Sequence, residues 1–255
     1  MNTKTRKTML AVLLMVIILI AVLIPTAIHV GKKSKQNTKY TVGNYITFGT
    51  YPQTADGTDN TPIEWLVLDR KDDKALLISR YGLDSHSRIS DAYYRDWEQT
   101  SLRKWLNDGF LNKAFTSEQQ ELILLTTVDN SRNQGYSGWN TDKDRLFNLH
   151  YTDTQDKIFL LSYAEANKYF GVTYENGENM KARVAPTAFA IANNAWVSDK
   201  FKTESGEAAG AWWLRSPSEN QLCAAYVDKD GSLSDFYLDS RNITARPALW
   251  IKVNN

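Results

Sequence analysis

The sequence predicts an α+β protein, one folded body behind a single apolar helix. Three observations carry this. Strand-like runs sit at both ends of the body, short helical patterns with capping signals lie between them, and one long uncharged stretch stands near the N-terminus. With 255 residues, 42% hydrophobic and 12% aromatic, the chain can bury a core without metal or disulfide support. Its one cysteine, Cys223, excludes an internal disulfide framework and a cysteine-based zinc cluster.

The leader comes first. Residues 1–8 form a short basic tail and residues 9–30 a transmembrane anchor. Within the anchor, Met9 to Ile28 is 20 residues without a charge, and at about 1.5 Å rise per residue it spans the roughly 30 Å hydrocarbon core. It exceeds the 7–15 apolar residues of a signal peptide, and Pro25-Thr26-Ala27 is a poor cleavage site, so an uncleaved anchor is favoured over a cleaved leader. Lys4, Arg6 and Lys7 precede it; Lys32, Lys33 and Lys35 follow it. The positive-inside rule is almost tied. A short inner tail with the body translocated is the simpler arrangement, so the body is placed outside the cell membrane. Residues 31–41 form a polar tether and residues 42–255 a single domain.

The six basic residues of 1–35 have no acid beside them. Subtracting them from 30 leaves 24 basic against 29 acidic residues, a body of net charge −5. That lacks the basic stripe of a nucleic-acid binder, and no nucleic-acid partner is expected.

Along the body, Asn44 to Thr50 reads as a strand. Pro62 to Asp69 and Lys74 to Ser79 read as a hairpin. Ser101 to Leu111 carries helical spacing interrupted by Gly109. Thr116 with Gln119, and Ser162 with Glu165, are capping boxes that open helices running to Leu124 and Phe170. Val128 to Asp156 has no apolar period and reads as a long loop. Lys157 to Leu161 is a buried strand. Ala185 to Ala195 is read as helical, with Ala188, Ala190 and Ile191 inward. Ala211 to Arg215, Cys223 to Asp228, Ser232 to Leu238 and Arg246 to Val253 are strands, the middle two joined by a tight turn at Lys229-Asp230-Gly231. The N- and C-terminal strands are expected to pair in one sheet.

Seven phrases then occur in order: FGTYPQ (Phe48 to Gln53), PIEWLVLD (Pro62 to Asp69), LRKWLN (Leu102 to Asn107), FLNKAFT (Phe110 to Thr116), DKIFLLSYAEANKYF (Asp156 to Phe170), WWLRSP (Trp212 to Pro217) and RPALWI (Arg246 to Ile251). Together they resemble the bacterial domain of unknown function family 6273, over about Tyr45 to Val253. The resemblance implies a C-type-lectin-like fold, distantly related to formylglycine-generating enzymes and to retroelement-diversified ligand-binding domains. It implies no activity.

Glu64, Arg215 and Arg246 are charges set in apolar strands. They read either as a binding or catalytic cluster or as a structural ion pair clamping the terminal strands to WWLRSP, and the structural pair is favoured. Tyr136, Trp139, Asn140 and Tyr151 in the long loop, with His150 beside them, suit stacking on a sugar face or a protein ligand; equally, one or two rings plug the loop into the core. Phe236, Tyr237 and Asp239 on the C-terminal hairpin form a second candidate surface, where the resemblance places the ligand face of the diversified relatives. Asp228 to Asp235 alternates oxygen ligands but fits a hairpin turn better than a calcium loop. The motifs of calcium-binding lectins do not occur, and Cys223 alone cannot supply the cysteine pair of the formylglycine-generating relatives. Nothing favours a serine–histidine site from Ser216, His86 and His150. No catalytic residue, metal or cofactor is therefore assigned. The leading expectation is a membrane-anchored extracytoplasmic module for an unknown glycan or protein ligand. The alternatives are a hydrolytic or protein-modifying enzyme and a structural envelope component.

Overall fold

The computed structural model describes residues 39–89, 96–135, 151–174, 177–218, 220 and 222–253. Val42–Val253 form one compact unit, and Met1–Thr41 with Asn254–Asn255 fall in another. The anchor over residues 9–28 lies outside the described residues, among which no helix is long and apolar enough to cross a membrane.

The unit is α+β, built mostly of sheet. β1 (Tyr45–Tyr51), β2 (Thr61–Lys71) and β3 (Lys74–Ser79) run as an antiparallel meander. Asp72 adopts φ 51° in the turn between β2 and β3, a conformation Asp tolerates in tight hairpins. After β4 (Asp84–Ser85) the chain enters α1 (Ser101–Trp105), which Thr100 caps by accepting from the Arg103 N–H. Gly109 does not break this helix. The chain passes through a π-helical turn, Leu106–Phe110, into α2 (Leu111–Ala114), and Leu102, Leu106 and Phe110 stay buried on one side.

Both capping boxes form, at α3 (Ser117–Leu122) and, beyond the paired β5 (Thr126–Val128) and β6 (Thr154–Asp156), at α4 (Tyr163–Phe170). Ile158 to Leu161 are buried, but the Lys157 to Leu161 run is not a strand of a sheet. Its Lys157 and Ile158 N–H groups donate to the Asn107 side chain, and only Phe159 bridges to Ala248. The next helix, α5 (Ala188–Ala192), is shorter than its pattern. Ala190 is buried, whereas Ala188 and Ile191 face solvent. One turn offers a single inward position, so the alanine-rich run carries little packing information.

β7 (Val197–Lys202) and β8 (Ala208–Gly210) form a hairpin absent from the sequence reading. β9 (Trp212–Pro217), β10 (Cys223–Val227), β11 (Leu233–Tyr237), β12 (Thr244–Ala245) and β13 (Ala248–Lys252) complete the chain. One sheet has the order β1-β2-β3-β13, the other β11-β10-β9-β12-β4. The first and last strands thus share a sheet but lie at opposite edges. β13 pairs with β3, because β2 already occupies the inner edge of β1. Trp65, Trp212, Trp213 and Phe110 are among the largest fully buried side chains. Each of these indoles has a partner, as buried N–H groups require: Trp65 donates to Phe48 O, Trp212 to Ala182 O and Trp213 to His86 O.

Candidate functional site

Glu64 forms no pair with Arg215 or Arg246. In β2, Ile63 and Trp65 point into the core, and strand alternation turns Glu64 outward between them. There it meets Arg80 at 2.9 Å, both side chains part-exposed. The expected ion pair among Glu64, Arg215 and Arg246 is corrected accordingly.

The two arginines have opposite surroundings. Arg215, 2% exposed, uses its whole guanidinium. It donates to Asn130 Oδ1 at 3.1 Å, to Leu160 O at 2.9 Å, to Asp129 O at 2.8 Å and to Glu165 Oε2. Glu165 comes from the capping box of α4 and also accepts from the Ser162 N–H. Arg88, which no sequence pattern marks, lies fully buried and donates to the carbonyls of Leu214 and Ser216 on the same strand; burial pushes its pKa down to about 9.

Arg246 sits between β12 and β13, 5% exposed. Its Nε donates to Ser79 O at 3.0 Å, and its guanidinium carbon lies 4.9 Å from the Phe170 ring centre and 4.8 Å from that of Trp212. Its Nη1 is buried without a hydrogen-bond partner among the described residues. Burial pushes its pKa down to about 10, so it remains charged at neutral pH.

Arg246 lines a cleft of about 370 Å³. One wall is Tyr45, Arg80 and Tyr81, with the Arg80 guanidinium 5.1 Å from each tyrosine ring centre. A second wall is the turn at Met180–Ala182, which the Trp212 indole holds through Ala182 O. Asn179, just before that turn, bonds back to Phe170 O and Gly171 O, and its own N–H donates to Asp230 O. Gly231 is required here. It has φ 88°, and a Cβ on it would sit 1.9 Å from Asn179 O. The third wall is the β7–β8 turn with Ser205 and Glu207, where Glu207 accepts from Ser205 Oγ at 2.8 Å. Burial, then the Glu207 carboxylate, raise the Tyr81 phenol pKa. Arg183 braces the second and third walls by donating to Asp230 O, Lys202 O and Glu178. The cleft therefore offers one unmet cationic donor, aromatic sides and an acidic rim.

Of the loop residues, Tyr136, Trp139 and Asn140, with His150, lie outside the described residues. Tyr151 lines, with Trp97, Asn130 and Arg215, a cavity of about 20 Å³, room for about one water. Phe236 is half-buried against Trp196, 4.8 Å between ring centres, while Tyr237 and Asp239 are exposed on the same hairpin. Tyr151, Phe236, Tyr237 and Asp239 do not line the cleft. Its partners Arg80, Tyr81, Met180 and Glu207 come from segments without a shared motif, so only the apolar setting of Arg246 pointed towards it.

Ser216 has both functions of its hydroxyl occupied, donating to Gln134 O and accepting from the Tyr163 N–H. His86 stacks on Trp105, 4.6 Å between ring centres. Burial pushes the Cys223 thiol up to about 11. In the Asp228 to Asp235 segment, Asp230 is occupied by Ser232 and Asp228 by Lys229, and among the described residues no group of acids, histidines or cysteines is placed to hold a metal.

The family model described as Domain of unknown function (DUF6273) matches residues 72–253, more than half of the chain. The chain belongs to this family. The DUF6273 match begins in the turn between β2 and β3, so Arg80, Met180, Glu207 and Arg246 fall inside it and Tyr45 falls before it. No curated protein and no solved structure matches the chain.

Proposed function

We propose that this DUF6273 domain is an extracytoplasmic ligand-binding module, tethered to the cell membrane through residues 9–28, and that the Arg246 cleft is its binding site. One observation carries the reading: Arg246, whose buried Nη1 has no hydrogen-bond partner among the described residues, lines an open cleft. An unmet charged donor costs free energy in the empty protein, and a ligand oxygen relieves that cost on binding. The cleft's size lies in the range of small-molecule sites, about 300–1,000 Å³. Binding is favoured over catalysis because the nucleophile candidates are otherwise engaged: the Ser216 hydroxyl is spoken for and the Cys223 thiol is held protonated. The C-type-lectin-like relation stays part of this proposal, supported by a sheet that takes both the first and the last strand of the body.

A thermal-shift screen of the full chain in detergent micelles, over small acids, glycans and peptides, tests the site. Met180 is 53% exposed on the cleft wall, so Met180→Trp fills the cleft with little cost to the fold. Hits should disappear in that variant. Hits that persist place the binding elsewhere. Protease shaving of intact cells tests the location, and a body digested only after lysis contradicts it.

A further inference from the structure

Resting on that reading, we infer that the cleft takes an amino carboxylate, with its carboxylate on Arg246 Nη1 and its ammonium towards Glu204 and Glu207 on the β7–β8 turn. The charge of the acceptor comes first. Arg80 is matched by Glu64 at 2.9 Å, and Arg183 by Glu178 at 2.9 Å and two carbonyls. Lys181 is exposed on the rim, where water solvates it. Of the cations that line the cleft, Arg246 is the buried one without a carboxylate partner among the described residues, so the site calls for a monoanion rather than a phosphate dianion.

The shape of the acceptor follows from the guanidinium. Its Nε is committed to Ser79 O and its carbon lies against two rings, so a ligand meets the guanidinium at its Nη edge, where Nη1 is shielded from solvent in the empty protein and is uncovered by a side-chain shift on binding. A planar carboxylate matches that edge.

The opposite rim decides the rest. Glu204 and Glu207 line the same cleft. They repel a bare carboxylate, whereas a ligand with a cation at its other end turns that repulsion into attraction. A cavity of about 370 Å³ holds a free amino acid or a short peptide, and both present this chemistry.

Calorimetric titration of the full chain in detergent micelles tests the inference with L-leucine, alanyl-alanine, N-acetyl-leucine, leucinamide, glucuronate and inorganic phosphate. Leucine or alanyl-alanine should bind, and which of the two binds tighter distinguishes free amino acid from peptide. N-acetyl-leucine should bind at least tenfold more weakly, and leucinamide should give no heat. Arg246→Lys should weaken the zwitterion at least tenfold. Glu207→Gln should weaken the zwitterion but tighten N-acetyl-leucine, whose bare carboxylate it no longer repels, which a purely structural role does not produce. Equal binding of leucine and N-acetyl-leucine, or heat from none of the amino carboxylates, overturns the inference. Glucuronate or phosphate binding that Met180→Trp abolishes overturns it while leaving the cleft as the site. Binding that Met180→Trp leaves intact overturns the underlying reading as well.

Discussion

Arg215 donates to Glu165, and the same carboxylate oxygen accepts the Ser162 N–H that opens the helix Tyr163–Phe170. A strand and a helix start are thereby fixed by one oxygen. Arg246, also buried, has no such carboxylate among the described residues and keeps an unmet Nη1. Each arginine lies within four residues of a tryptophan and a leucine in sequence, yet one is closed into the fold and the other lines a cleft.

Replacing each by Met should separate these roles. Arg215→Met leaves Glu165 and three other acceptors without their donor, and should destabilise by about 3–5 kcal/mol. Arg246→Met keeps the packing on Phe170 and Trp212 while removing an unpaired buried charge. Its stability should be unchanged or higher, the pattern of a residue kept for binding. Urea unfolding of both variants checks this, and equal losses contradict it.

Much of the fold was legible in the sequence because local signals decide it. The capping boxes at Thr116 and Ser162, the β2–β3 hairpin and the Asp230-Gly231 turn each rest on a few adjacent residues. The cleft was not legible, because it joins Arg80, Met180, Glu207 and Arg246 from four separated segments. Glu64 misled for a related reason. Apolar neighbours on a strand mark the opposite face, so Ile63 and Trp65 imply an outward Glu64. The Lys157 to Leu161 run shows a further limit: apolar burial is written in the residues, but the choice of Asn107 rather than a neighbouring strand as partner is not.

Gly231→Ala should destabilise by more than about 1 kcal/mol, since φ 88° disfavours any side chain and Asn179 O occupies the Cβ position. The damage should reach the cleft, because Asn179 leads into the Met180–Ala182 wall. Ligand affinity should fall together with the unfolding midpoint. An alanine variant of wild-type stability contradicts the close approach.

Asp59 should give the loop between β1 and β2 an acid limit. Its carboxylate accepts from Thr61 and Thr54 side chains and from the Gln53 and Thr54 N–H groups, which hold its pKa below the usual carboxylate range. A lowered folded pKa means stability that is present above the unfolded value near 4 and is lost as pH falls through the folded one. Amide exchange in residues 53–61 should therefore stay slow at pH 5 and quicken only at strongly acidic pH. In Asp59→Asn it should already be fast at pH 5, and equal rates in the two proteins contradict the assignment.

The central claim is that Arg246 Nη1 is a ligand contact, and the most direct test is a distance. In crystals of the protein soaked with L-leucine or alanyl-alanine, a ligand carboxylate oxygen should lie about 2.7–2.9 Å from Nη1, the spacing of a charge-assisted hydrogen bond. A cleft that stays empty while Nη1 bonds to a protein carbonyl or carboxylate contradicts the account.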